Sequence, residues 1–251
     1  MIVYKSPEEV AKMRVSGRIT AETIETVLAA VRPGITTADL DAVAEAKIRE
    51  RGAIPSFKGY HGFPATICAS LNHEIVHGIP SKRRKLAEGD LISLDFGAIW
   101  EGFHSDSAVT VFVGEPPSNE AEKLVRATEE SLDAGIAQIR PGARLSDISH
   151  AVEQVARGAG FEVVREYVGH GVGRKLHEDP QIPNFGPPGR GPVLKPGLVI
   201  AVEPMVNLGG WETTLLADGW TVVTADGSLS AHFEHTIAVT EDGHEVLTAR
   251  G

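Results

Sequence analysis

The stretch LISLDFG, from Leu91 to Gly97, decides the fold. Its apolar residues predict a buried strand, and we expect that strand to end on the carboxylate of Asp95. A second run, LVIAVEP from Leu198 to Pro204, carries Glu203 at the corresponding place. Burying an ionised carboxylate costs several kcal/mol unless a cation or hydrogen bonds offset the loss of hydration. Both stretches therefore predict a partner for their acid.

The two stretches belong to an internal repeat with an offset of 108 residues. VLAAVRPGITTADL matches GIAQIRPGARLSDI, so the RPG at 32–34 falls on the RPG at 140–142. The same offset superimposes the two acids of the opening stretches. With 20 further residues inserted, HSDSAVTV falls on HFEHTIAV, which places Asp106 on Glu234. A register held over such a length indicates duplication rather than chance.

The repeat predicts the organisation of the chain. Ser6, Pro7 and Glu9 form a helix start with a capping box. Further helical patterns cover about 37–51, 119–139 and 146–159, and β-like runs follow each helix pair. We therefore predict an α+β fold in one catalytic domain, residues 1–251. Its pseudo-symmetric halves would be about 1–115 and 116–251.

Composition limits the classes of function. The formal net charge of −10 argues against non-specific binding to nucleic acid or to an anionic membrane surface. Cys68 is the only cysteine, so no disulfide can form within the chain and a reducing compartment is expected. The N-terminus lacks a signal-like apolar region and no 18-residue apolar run occurs. We expect a cytoplasmic protein.

Four acids are predicted to meet between the halves: Asp95, Asp106, Glu203 and Glu234. The segment IWEGFH suits a hairpin turn at 101–102, which would put the first two acids on neighbouring strands. Four carboxylates cannot all stay ionised in one cleft without cations, so we predict a pair of divalent metal ions. An oxygen-rich ligand set favours Mn, Fe, Co or a bridged Zn pair.

Histidines complete the predicted site. His170, in YVGHGVGR, is the best imidazole ligand because flanking glycines let the backbone come close. His177 and His77 are candidates for catalytic or supporting groups. Taken singly, each histidine is more often a surface residue or a satisfied core residue. The four-acid symmetry raises the weight of those beside glycine-rich turns.

Other motifs compete with this interpretation. HEIVH, residues 73–77, matches the zinc-protease pattern HExxH, but β-like residues precede it and Gly78-Ile79-Pro80 follows, so no helix is expected. No hydrolase elbow or nucleotide loop is present. Cys68 is interpreted as a small pocket residue rather than a nucleophile. The basic run Lys82–Lys85 is interpreted as a solvated loop, with contact to ribosomal RNA left open.

Five stretches together resemble type I methionine aminopeptidases of the bacterial kind without an N-terminal extension. The resemblance implies the pita-bread fold, with two pseudo-two-fold-related α/β halves around a curved antiparallel sheet. It covers nearly the whole chain. The matching stretches are GYHGFPATICASLNHEIVHGIP, LISLDFGAIWEGFHSDSAVTVFVG, GHGVGRKLHEDP, VIAVEPMV and SAHFEHTIAVT.

The resemblance implies roles for twelve residues. The metal ligands would be Asp95, Asp106, His170, Glu203 and Glu234. The catalytic groups would be His77, His177 and Glu203, with Glu203 shuttling a proton and His177 stabilising the oxyanion. The substrate-binding residues would be Tyr60, His61, Phe63, Cys68, His77, His177 and Trp220.

The expected activity is removal of the initiator methionine from nascent polypeptides and peptides, with a small second residue preferred. Leu176 departs from the family, in which an aromatic residue often precedes this histidine, and we expect Leu176 at the pocket rim. A monovalent cation near Asn72 and Ser230 and a monomeric state are further implications. Two alternatives stay open: another pita-bread hydrolase, such as an Xaa-Pro aminopeptidase or prolidase, and a non-enzymatic relative that binds the ribosome or RNA.

Overall fold

Two helix pairs flank the strands in the computed structural model, which describes all 251 residues. In the first half, α1 (Pro7–Leu28) packs beside α2 (Thr37–Glu50). In the second half, α3 (Asn119–Ile136) packs beside α4 (Leu145–Gly158). None of these helices has the length and apolar character needed to span a membrane.

The helix starts follow the predicted repeat. Ser6 and Glu9 form the expected capping box, in which each side chain accepts a hydrogen bond from the other residue's backbone N–H. Asp39 accepts from the N–H of Thr36, and Asp147, its repeat partner, accepts from the N–H of Arg144. The third helix ends three residues before its predicted end, because residues 138 and 139 form i to i−3 turn bonds instead.

Fifteen short strands complete the fold. In chain order they are β1 (Ile54–Pro55), β2 (Ile67–Leu71), β3 (Glu74–Val76), β4 (Leu91–Trp100), β5 (Phe103–Phe112), β6 (Glu162–Val163), β7 (Gly169–Gly171), β8 (Glu178–Ile182), β9 (Val199–Val202), β10 (Met205–Asn207), β11 (Thr213–Leu215), β12 (Val222–Thr224), β13 (Ser230–His232), β14 (His235–Val239) and β15 (His244–Val246).

The strands form antiparallel sheets in both halves. β4 pairs with β1, β2 and β5, while the largest sheet of the second half has the order β15-β14-β9-β7-β8. Ala108, in β5, and Glu234, just before β14, exchange backbone hydrogen bonds of 3.3 and 3.0 Å. The sheets of the two halves are therefore joined where the matching acids lie. This architecture confirms the predicted fold class.

One detail of the strand prediction is wrong. β4 does not end on Asp95 but continues to Trp100, because β5 pairs with it along its whole length. The hairpin turns at Glu101-Gly102 as predicted, and both residues have positive φ, 48° and 80°, as a type I′ turn requires. Asp95 therefore projects from the middle of a strand, whereas Glu203 follows the end of β9.

The HEIVH motif is not a zinc-protease helix. Residues 74–76 form β3, and Asn72, two residues before the strand, and His77, directly after it, both have left-handed backbone conformations with φ of 57° and 62°. The prediction that this motif forms no helix is confirmed, and its two histidines therefore cannot lie on one helix face. Gly78 follows the left-handed residue His77. A Cβ at Gly78 would lie 2.3 Å from the carbonyl oxygen of Ala69, so the close backbone contact there requires glycine.

Candidate active site

A cavity of about 320 Å³ is lined by residues from both halves of the chain. It brings together all twelve residues that the sequence singled out for the site. They are Tyr60, His61, Phe63, Cys68, His77, Asp95, Asp106, His170, His177, Glu203, Trp220 and Glu234.

Neighbouring strands present the five proposed ligands to this cavity. Asp95 lies in β4 and faces Ala108 of β5. Asp106 lies in β5 and faces Gly97 of β4, so the two acids are offset by two positions along the hairpin. His170 lies in β7, which pairs with β9 just before Glu203. Glu234 stands directly before β14. Paired strands therefore hold the side chains in fixed relative positions.

The ligand atoms are close together. One atom each of Asp106, His170 and Glu234 lies within 4.8 Å of the others. His170 Nε2 is 3.7 Å from Asp106 Oδ2 and 3.4 Å from Glu203 Oε1. These separations suit a shared cation better than direct hydrogen bonds.

Several oxygens of the cluster have no hydrogen-bond partner. Asp95 Oδ1, Asp106 Oδ1 and Glu234 Oε1 are all buried and unpaired. Leaving a buried acceptor unsatisfied costs free energy, so buried unpaired oxygens on acids that line one cavity indicate a cation site. The donor set of four carboxylates and one imidazole is the chemistry that divalent metals accept. The residues present therefore fit the predicted metal site.

Electrostatics lead to the same conclusion. Burial raises the pKa of Asp95 to about 7. Burial and the neighbouring acids also raise the pKa values of Asp106, Glu203 and Glu234 well above the ordinary carboxyl range. Burial lowers the pKa of His170 to about 3, which keeps the ring neutral and able to ligate. Without cations the cluster holds protons in their place.

Two further histidines line the cavity near the cluster. The ring centroid of His177 is 4.2 Å from that of His170, and its Nδ1 shares a 2.7 Å hydrogen bond with the hydroxyl of Tyr60. His77 contacts the edges of Tyr167 and Trp220. Burial lowers the pKa of His77 to about 4, so this ring is neutral near pH 7.

An apolar pocket adjoins the acids. Phe57, Phe63, Cys68 and Leu176 pack together in it, and Trp220 meets Phe63 edge to face at 5.1 Å. Burial and the acidic neighbours raise the pKa of the Cys68 thiol well above its usual range. A protonated thiol is a poor nucleophile, so the interpretation of this cysteine as a pocket residue is supported.

The position of Leu176 differs from the prediction. Leu176 is only 3% exposed and forms part of the pocket wall, not its rim. The rim position was inferred from the resemblance, because an aromatic residue often precedes this histidine in the family, but the Leu176 side chain packs with Phe57 and Phe63.

Leu176→Phe is therefore expected to change KM for a Met-Ala peptide several-fold more than it changes kcat. The larger ring would reshape the wall of the apolar pocket, while the acids stay in place. Steady-state kinetics on Met-Ala-Ser measure both constants. A large fall in kcat at constant KM would contradict the assignment of Leu176 to the pocket wall.

The cavity also contains residues that the sequence did not single out: Phe57, Val76, Tyr167, Val168 and His232. His232 is fully buried, and its unpaired Nε2 lies 3.9 Å from Glu203 Oε2. The repeat aligns it with His104, which could have drawn attention to it. The apolar members carried no signal of their own in the sequence.

Two secondary predictions have partial structural counterparts. The backbone oxygen of Asn72 accepts a 2.9 Å hydrogen bond from Ser230, so the two residues of the expected monovalent site are neighbours. In the basic run, Lys82, Arg83 and Lys85 are exposed, whereas Arg84 is paired with Glu74. A solvated loop describes the run well.

Comparison with known proteins identifies the family. The model of metallopeptidase family M24 matches residues 11–241. Methionine aminopeptidase 1 of Bacillus subtilis is 56% identical over 99% of both chains, and that of Mycobacterium tuberculosis is 50% identical over 99% of this chain and 95% of the relative.

Solved structures agree. The methionine aminopeptidase of Thermotoga maritima superimposes with a TM-score of 0.98 at 46% identity, covering 100% of both chains. Prolidase from Pyrococcus furiosus gives 0.81 at 22% identity, and this chain covers 66% of it, so that likeness shows the shared fold alone. The predicted resemblance is confirmed: the chain belongs to metallopeptidase family M24 and, within it, to the methionine aminopeptidases.

Proposed function

We propose that the chain removes the N-terminal, initiator methionine from polypeptides and peptides, preferring a small second residue. One observation carries this function: unpaired buried carboxylate oxygens and an apolar pocket share a single cavity. The acids would hold the metal ions that hydrolysis requires, and the apolar pocket beside them would select the side chain of the first residue. Membership of the methionine aminopeptidases supports the same activity.

Two divalent ions (Co, Mn, Fe or Zn) would be held by the five ligands Asp95, Asp106, His170, Glu203 and Glu234. When bound, such ions lower the pKa of water from 15.7 toward about 7, which makes hydroxide available at neutral pH. We further propose that the side chain of Glu203 moves the proton from the attacking water to the departing amine. Burial and the neighbouring acids raise the pKa of Glu203, which favours its protonated form, and a general acid–base must both take up and release a proton.

His177 is proposed to donate a hydrogen bond to the carbonyl oxygen of the scissile bond. Its Nδ1 is engaged by Tyr60, so Nε2 is left for the substrate. Loss of one such donor costs about 2.7–4 kcal/mol of transition-state stabilisation in other enzymes. His77 would bind the backbone of the second residue. A large side chain there would meet both rings, which accounts for the preference for small residues.

The pocket is proposed to hold the methionine thioether. Phe63, Cys68 and Trp220 supply aromatic and polarisable surface, and each sulfur–aromatic contact contributes about 0.3–1.5 kcal/mol. Tyr60 and His61 stack edge to face, 4.3 Å apart, and would close the pocket on its solvent side. Shape and polarisability together favour an unbranched, flexible side chain.

The setting of the reaction is a further part of the proposal. Nascent chains would be the substrates of a monomeric, cytoplasmic enzyme built as one catalytic domain. Contact with the ribosome would involve the exposed members of Lys82–Lys85. A monovalent cation would bind beside Asn72 and Ser230.

Hydrolysis of Met-Ala-Ser by the metal-loaded protein tests the function. We expect release of free methionine, loss of activity with a chelator, and recovery on adding Mn²⁺ or Co²⁺, together with two bound ions per chain by elemental analysis. Ala-Pro-Ala serves as the matched substrate for Xaa-Pro hydrolysis. Cleavage of that peptide in preference to Met-Ala-Ser, or activity unchanged by complete metal removal, would reject the proposal.

A further inference from the structure

A buried ion pair lies directly behind the loop that carries His177. Lys5 belongs to the extended segment before α1, and its Nζ lies 2.8 Å from Glu178 Oε2. The two side chains are 2% and 10% exposed. The ammonium also donates to the carbonyl oxygen of Val3 at 3.1 Å. Both charges are therefore removed from water and held in one geometry.

The pair anchors the chain on both sides of His177. Glu178 is the next residue along and begins β8, and its Oε1 accepts a 3.1 Å hydrogen bond from the backbone N–H of Lys175. One carboxylate thus closes the loop from Lys175 to Glu178. The backbone N–H of Lys5 donates to the carbonyl oxygen of Gly197 at 2.7 Å, which fixes the other partner.

The surrounding backbone is shaped to admit the pair. A Cβ at Gly173 would lie 2.5 Å from Glu178 Oε1 and 2.6 Å from Lys5 Cε. A Cβ at Gly197 would lie 2.6 Å from the carbonyl oxygen of Lys5. At Gly197, with φ of 84° and backbone as its neighbour, only glycine fits, whereas at Gly173 a larger residue would displace the ends of the Lys5 and Glu178 side chains. The loop is therefore built around the two charges.

Stability alone does not account for such a pair. Removing two charges from water offsets most of their mutual attraction, and apolar residues of similar volume often replace a buried pair without loss. What the pair provides is a defined position for its two chain segments. His177 precedes Glu178 in the chain and is an exposed residue whose ring contacts Tyr60 and His170, so the position of its backbone decides whether those contacts form.

We propose that the Lys5–Glu178 ion pair is a positioning device for His177, holding its imidazole in hydrogen-bonding register with Tyr60 and with the substrate carbonyl. This inference rests on the proposed function of His177. Neither Lys5 nor Glu178 touches the reacting atoms. Their contribution acts through the loop and is expected in kcat more than in substrate affinity, since Leu176 is the only pocket-wall residue that the loop contributes beside Phe57, Phe63 and Cys68.

The test compares Lys5→Met with the double variant Lys5→Met/Glu178→Met on Met-Ala-Ser. Lys5→Met is expected to lower kcat by about 10- to 100-fold, as displacement of a catalytic group by about 1 Å does, while KM changes less than about threefold. The double variant leaves no unpaired charge. It is expected to recover thermal stability but not kcat.

Arg14→Met is the matched control. Arg14 forms a hydrogen-bonded ion pair with Glu245 on the surface, at 2.5 and 2.7 Å, and neither residue lines the cavity. Its kcat should stay within twofold of the unaltered chain. A double variant with normal kcat, or Lys5→Met with lowered stability but unchanged kcat, would overturn the positioning role. Should Lys5→Met fail to fold, the double variant still decides.

A second readout does not require activity. In ¹⁵N-histidine-labelled, metal-free protein, the ring nitrogens of His177 should report one tautomer in the unaltered chain and in Arg14→Met. In the double variant they should report an average of two tautomers. Identical nitrogen shifts in all three proteins would overturn the inference. Failure of the unaltered chain to hydrolyse Met-Ala-Ser would reject the proposed function instead, and the nitrogen shifts would still show whether the pair orders His177.

Discussion

Glu203→Gln is expected to lower kcat/KM for Met-Ala-Ser by about 10²–10⁴-fold, the range associated with loss of a general acid–base. The amide cannot take up and release the proton that we assign to Glu203. It also removes a negative charge from the metal cluster, in which Glu203 Oε1 lies 3.4 Å from His170 Nε2. The fold should remain intact, because Glu203 follows β9 and its side chain makes no hydrogen bond that holds strands together.

The control for this change is Glu120→Gln, on the exposed first turn of α3. It removes the same charge far from the cavity, so its kinetics should match those of the unaltered chain. The amount of methionine released after fixed reaction times gives the rates, and circular dichroism confirms folding. A Glu203→Gln variant with kcat/KM within tenfold of the unaltered chain would exclude Glu203 as the proton carrier.

The fold was predictable because the two duplicated halves of the sequence align with each other over a long stretch. Matching acids fell at matching positions, and Asp39 and Asp147 cap the second helix of each half in the same way. The extent of β4 was not predictable from its apolar run. Asp95 reads as a strand end, but pairing with β5 carries the strand to Trp100. Cross-strand partners decided that boundary, and local composition does not reveal them.

The site was predictable where chemistry demands unusual residues. Buried carboxylates are costly, so their presence in apolar strands indicated cations. The walls of the pocket were harder to predict, because residues such as Phe57 and Val76 resemble any core residue. Leu176 was placed at the rim because the family often has an aromatic residue at this position, yet its side chain packs in the pocket wall. His232 was missed because a single histidine carries little information without its surroundings.

Asp95→Asn is expected to separate metal binding from stability. Loss of this ligand should weaken divalent metal binding by more than about 100-fold, since loss of groups that merely support a ligand costs 10- to 100-fold. Activity should fall with metal occupancy. In the metal-free protein the same change should be stabilising at neutral pH, because it removes a carboxylate whose ionisation is opposed by burial.

The direction of this change in stability follows from the raised pKa of Asp95, about 7 in the folded chain against an ordinary value of 3.8. Well below pH 3.8 the group is protonated in both states and its contribution is fully present. As pH rises toward 7 the unfolded chain releases the proton and the folded chain retains it, so metal-free stability falls. The advantage of the Asn variant should therefore grow by on the order of 3 kcal/mol between pH 5 and pH 8.

Urea unfolding in the presence of a chelator, at pH 5 and at pH 8, measures this difference. Asp133→Asn, exposed on α3, is the control and should show no such growth. Adding Mn²⁺ should reverse the order at pH 8, because the cation stabilises the unaltered chain by binding only its folded state. A metal-free Asn variant that is less stable than the unaltered chain at pH 8 would mean that Asp95 is satisfied by the protein itself. The buried acids would then require no cation.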